Sequence, residues 1–206
     1  SVSVGWVVSN ENFLENLGPV SFMKVRASWG QLGNQNIGSS YYPFVQNITT
    51  GQNYLWDGVP VAGAAVTNLA NPLIGWETTT IIDIGLDVNL FNNKVQIVAD
   101  IFDKTSTDIL YELPIVKTLG DVSAPWQNVG EVQNRGWELG INVRERIGGV
   151  AVYGGVNLSH VKNKVIDYSD QVYIGSNNIT KEGEAIRSYY GYVAEGYYQT
   201  QAELDN

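Results

Sequence analysis

Two dipeptides, Asn92-Asn93 and Gly148-Gly149, constrain this chain more than any other feature. Each tolerates positive φ, and each interrupts a long run in which apolar and polar residues alternate with period two. From Thr80 to Leu90 one face carries Thr80, Ile82, Ile84, Leu86, Val88 and Leu90, and the other carries Ile81, Asp83, Gly85, Asp87 and Asn89. If Asn92-Asn93 closes a two-residue hairpin, opposed positions sum to 185. Leu90 then meets Val95, Val88 meets Ile97, Leu86 meets Ala99 and Ile84 meets Ile101. Around Gly148-Gly149 the sum is 297, which pairs Ile147 with Val150, Ile141 with Val156, Leu139 with Leu158 and Trp137 with His160. Opposed residues share a face, so each hairpin presents one apolar and one polar surface. A slip of one residue would scramble both. The chain reads as all-β and antiparallel.

Similar alternation covers Val2–Val8, Met23–Trp29, Val95–Ile101 and Val150–Leu158, with a weaker candidate over Ser188–Gln199, giving about seven strands. The connections then sort by length. Asn92-Asn93 and Gly148-Gly149 are tight and Asn10–Pro19 is medium, while Asn34–Gly75, Leu113–Gly130 and Asp167–Arg187 are long. Short and long alternate, so all the short turns fall at one end of the sheet and all the long loops at the other. A transmembrane barrel has that asymmetry. The apolar face also has a fixed height: it runs about ten residues from the first turn, or roughly 25 Å in tilted strands. Asp103, Thr105 and Thr107 then take over the same face. Trp137 sits at that height, where an aromatic girdle belongs, and Glu145, the one charge within the belt, lies two residues from a tight turn. A soluble β-sandwich would share the alternation but has no reason to sort its loops.

Composition agrees. Charged residues are 16% of the chain, against about 25% in soluble domains. The net charge of −9 argues against a nucleic-acid surface. There is no cysteine, and His160 is the only histidine, so thiolate chemistry, a histidine-rich metal site and a catalytic triad have no material. The carboxylate pairs Asp83/Asp87, Asp100/Asp103 and Asp167/Asp170 fit no calcium-loop spacing. Arg26, Arg144 and Arg146 share polar faces with Lys24, Glu138 and Asp83, as side chains lining a wet lumen would. The loop from residue 34 to 75 holds Tyr41, Tyr42, Phe44, Tyr54 and Trp56 among amide side chains. Of these, Tyr41, Tyr42, Tyr54 and Trp56 are the candidates for contact with a substrate or a partner, by stacking on sugar rings or by peptide recognition. The chain opens within a strand pattern at Ser1-Val2-Ser3-Val4-Gly5-Trp6, as an excerpt of a longer polypeptide would.

Several blocks carry a further signal. They are the run from Lys24 to Gly38, Asn71-Pro72-Leu73-Ile74-Gly75-Trp76-Glu77-Thr78-Thr79, and Asp83-Ile84-Gly85-Leu86-Asp87. Asp103–Leu110, Asn128–Glu138 and Tyr190-Gly191-Tyr192 follow in order. In this order they resemble the barrel of SusC/RagA-type TonB-dependent transporters. The resemblance implies a portion of a roughly 22-stranded transmembrane β-barrel in a bacterial outer membrane, in contact with its lipid. It implies extracellular loops at residues 34–75, 113–130 and 167–187, import of oligosaccharides or peptides, a SusD-like lipoprotein partner, and TonB acting through regions outside this chain. It implies no catalysis, cofactor or metal. No plug, TonB-binding segment or final barrel strand is recognisable, and about seven strands cannot close a barrel. A soluble β-rich carbohydrate-binding module and a non-transporting surface barrel or adhesin remain as competing readings.

Overall fold

A computed structural model describes residues 1–14, 18–37, 41–194 and 196–201. Parts of the 10–19 connection and of the 34–75 loop, including Gly38, lie outside the described residues. Six long strands make the fold: β1 Val2–Val7, β2 Val20–Asn34, β3 Glu77–Leu90, β4 Val95–Thr107, β5 Glu131–Ile147 and β6 Val150–Asp167. They form one sheet in sequence order, with every neighbour antiparallel.

Both hairpin registers are those the alternation demands. Leu90 faces Val95 and Ile84 faces Ile101, while Ile147 faces Val150 and Trp137 faces His160. Asn92 and Asn93 hold φ of 56° and 65°, and Gly148 and Gly149 hold 56° and 88°. Phe91, at 53°, is left-handed as well, so the first turn carries three such residues, and the second carries the two of a tight turn whose twist matches its strands. The weaker candidate over Ser188–Gln199 behaves differently. Only Ser188–Tyr189 pairs, in a small sheet with Tyr173–Ile174 and Asn178–Thr180. Near the end of β6, Val165 donates its N–H to the Glu184 carbonyl at 2.8 Å and accepts from Gly183 at 2.9 Å. Among the described residues loop backbone meets β6 at Val165 alone, and the sheet has six strands.

The sheet is a single layer. Its surface totals 15515 Å², where a compact 22.6 kDa monomer would expose about 9,500 Å². Among the described residues the buried apolar side chains are Val8, Val165 and Ile179. None lies in the apolar belt, where Ile84, Ile101 and Val156 remain 47%, 57% and 58% exposed. Leu86, Val88, Ile97 and Ile141 are half-buried by their strand neighbours alone. Among the described residues no second layer covers this face.

The belt is also staggered. Its last apolar residue toward the long loops is Trp29 on β2, Ile82 on β3, Ile101 on β4, Trp137 on β5 and Leu158 on β6. Trp29 faces Ile82 and Ile101 faces Trp137, but Ile101 faces Ile84, two residues nearer the turns, and Leu158 faces Leu139, two nearer again. The rim therefore shifts by four residues over four steps between strands, one residue per strand. At ~3.3 Å rise and ~4.8 Å spacing this is a slope of about 35°, the tilt of outer-membrane barrel strands. A band that is level in the membrane must step in this way across tilted strands.

Candidate functional site

The face opposite the belt is a polar wall. Arg26 on β2 faces Gly85 on β3, which in turn faces Asp100 on β4. Gly85 leaves the space between them open, since a Cβ there would lie 2.4 Å from the Arg26 guanidinium carbon and 2.5 Å from Asp100 Oδ1. The guanidinium therefore crosses β3 and reaches Asp100 at 2.6 Å, Asp83 at 3.3 Å and Asp87 at 3.5 Å. Three carboxylates thus share one cation. The other acidic pairs do not converge. A spacing of three sends Asp103 to the belt side of β4, where Arg135 and Gln133 hold it, and Asp167 caps the Ser169 N–H at 2.7 Å in a loop.

At the long-loop end, the segment after β2 folds into two nested hairpins. Ile48–Thr50 pairs with Ala64–Val66, and Tyr54–Trp56 pairs with Val59–Val61 across a left-handed Asp57-Gly58 turn. The four aromatic candidates fall on two elements. Tyr54 and Trp56 stand on the inner hairpin, 53% and 71% exposed. Tyr42 packs edge-on against Phe44, with ring centroids 6.1 Å apart. Tyr41 lines a cleft of about 460 Å³ with Asn36, Phe44, Ile74, Trp76 and Leu110.

Two asparagines hold that cleft together. Asn71 donates to the Trp126 carbonyl at 2.9 Å and accepts the Leu73 N–H at 3.0 Å. Asn128 accepts the Gly75 N–H at 2.6 Å and donates to the carbonyls of Gly75 and Asp108, at 2.9 and 3.0 Å. The loop before β3 is thereby fastened to the one before β5. Trp76 lies over Gly33, where a Cβ would come within 2.7 Å of its ring. Ile74, Trp76 and Leu110 are not among the candidates that the sequence marks out. The available signal was an apolar block, Leu73-Ile74-Gly75-Trp76, placed outside any alternating strand.

A second, more apolar cavity of 340 Å³ opens between the next two loops, lined by Tyr111, Val132, Val165, Tyr168, Tyr173 and Ile186. The rings of Tyr111 and Tyr168 lie 5.8 Å apart. Burial, and then hydrogen bonding to Tyr111, push the Tyr168 phenol up to about 12. These tyrosines follow strand ends singly, and nothing in the sequence gathers them.

Comparison with known proteins fits this architecture. The TonB-dependent receptor P3 of Formosa agariphila is 34% identical over 211 aligned residues, covering 97% of this chain and 21% of its own length. The TonB-dependent receptor SusC of Bacteroides thetaiotaomicron is 30% identical over 147 residues, covering 70% of this chain and 14% of its own. The solved structure of the RagAB peptide transporter superposes with a TM-score of 0.77 over 91% of this chain and 21% of the matched one; at 24% identity that likeness shows the fold. The chain thus spans about a fifth or less of the length of these relatives. The profile described as TonB dependent receptor-like, beta-barrel matches residues 1–200. With an exposed belt tilted for a bilayer and a match over nearly its whole length, the chain belongs to the TonB-dependent receptor β-barrel family of the outer membrane.

Proposed function

We propose that the protein containing this chain is an energy-coupled importer, carrying oligosaccharides or peptides too large for diffusion pores across the outer membrane. The observation that carries this reading is the single-layered sheet, with its lipid-sized apolar belt on one face and charged wall on the other. Such a wall suits the inside of a wide barrel whose lumen is plugged. The relatives named SusC and RagAB peptide transporter support the assignment. The long loops face outward from the cell in this reading. Their cleft, with Tyr41 as the one aromatic candidate lining it, and the inner hairpin with Tyr54 and Trp56 supply the surface for cargo or for a SusD-like lipoprotein. TonB engages regions outside this chain. The barrel wall binds and guides, and no bond is made or broken.

Deleting the gene and growing cells on defined glycans or peptides tests the proposal. Loss of growth on one polymer class, with growth on its monomers retained, is the expected result. Unchanged growth on every polymer, with the protein still in the membrane fraction, would point to a surface adhesin instead. Recovery of the full-length protein without detergent would point to a soluble module.

A further inference from the structure

We propose that the belt-side face of β6, just beyond the belt's loop-end rim, binds the phosphate of an outer-leaflet glycolipid. Alternation along β6 sends His160, Lys162 and Lys164 to the same side as Leu158, while Val161, Asn163 and Val165 point to the lumen. All three outward side chains are exposed. Across the ladder, His160 faces Trp137, Lys162 faces Arg135 and Lys164 faces Gln133. Three permanent cations and the only histidine thus occupy two adjacent strands of a chain whose net charge is −9. Asp103, which faces Arg135 across the ladder, is already held by Arg135 and by Gln133 at 3.1 Å. Among the described residues, His160, Lys162 and Lys164 have no acidic partner within ion-pair reach.

This arrangement calls for an anion. Like charges directly opposed across a ladder repel, and Arg135 and Lys162 are so placed with only one carboxylate between β4 and β5 to offset them. A phosphate between them would accept paired bonds from the guanidinium and point-charge bonds from the lysines. Depth selects the source of that phosphate. The basic residues begin immediately past Leu158 and Trp137, so they stand at headgroup level while the acyl chains of the same lipid meet the belt below. A cation ladder in water alone would have no apolar surface continuous with it.

This inference rests on the outer-membrane reading and on the long loops facing outward. The test uses the full-length protein in non-ionic detergent, with native mass spectrometry counting bound lipid. The probes are phosphorylated lipid A, the same lipid A after enzymatic dephosphorylation, and inorganic phosphate. Phosphorylated lipid A should be retained selectively, and the Lys162→Gln/Lys164→Gln variant should bind it roughly 30-fold more weakly at low salt, at about five-fold per basic side chain near an anionic surface. Lys162→Arg/Lys164→Arg should retain binding, and Lys104→Gln, on the lumen side of β4, should not weaken it. Equal retention of the dephosphorylated lipid, indifference to the lysine changes, or full competition by inorganic phosphate would overturn the proposal. Failure of the unaltered protein to enter membranes at all would instead overturn the barrel reading beneath it.

Discussion

Gly85 shows how much of the lumen wall rests on one missing side chain. Arg26 reaches Asp100 only because β3 offers no Cβ between them. Gly85→Ala should displace the guanidinium and lower the stability of the full-length barrel by about 1–3 kcal/mol, the usual cost of overpacking. In that background, Asp100→Asn should cost less than it does alone, which a double-mutant cycle on thermal unfolding would read. Tyr168 carries a pH consequence. Its phenol titrates near 10 when exposed and at about 12 in the fold, so the folded form holds the proton more tightly. The packing it stabilises is complete below pH 10 and is lost as pH rises from about 10 toward 12. Titration at 295 nm should show a late-ionising tyrosine that Tyr168→Phe removes; no change in that late component would show the phenol to be solvated.

Elements differ in how far the sequence reveals them. The two hairpins were legible to the residue because turn chemistry and alternation each fix the register, and both agree. Ser188–Gln199 alternates too, but alternation is silent about which strand a segment joins, and Ser188–Tyr189 pairs with Asn178–Thr180 in a small sheet instead. The cleft was less legible for a related reason. Asn71 grips Trp126 and Asn128 grips Gly75 across 55 and 53 residues of chain, and such side-chain clamps leave no periodic trace. Tyr41 was found by composition, whereas Trp76 needed the fold to bring it over Gly33. Asn128→Ala removes two donated bonds and one accepted bond at the junction of two loops. Limited proteolysis should then cut within residues 108–130 faster, with the sheet intact. An unchanged cleavage rate would mean the loops hold each other without that clamp.

At the scale of the whole molecule, the stagger of the belt separates a tilted membrane wall from a flat soluble sheet. Leu86, Ala99, Leu139 and Leu158 lie in one row across β3 to β6. In a flat sheet covered by a partner layer, the two ends of that row would be equivalent. In a wall tilted by about 35° they are not: Leu86 is mid-belt on β3, between Ile82 and Leu90, while Leu158 is the belt's last residue on β6. Arginine on the lipid side costs about 2–4 kcal/mol at the midplane and about 0–1 near the interface. Leu86→Arg in the full-length protein should therefore destabilise it by the larger amount in lipid vesicles, and Leu158→Arg by the smaller, despite their shared row. Leu90→Arg, beside the tight turn, should again be mild. Equal penalties at residues 86 and 158 would show that depth does not follow the stagger, and that something other than a bilayer covers this face.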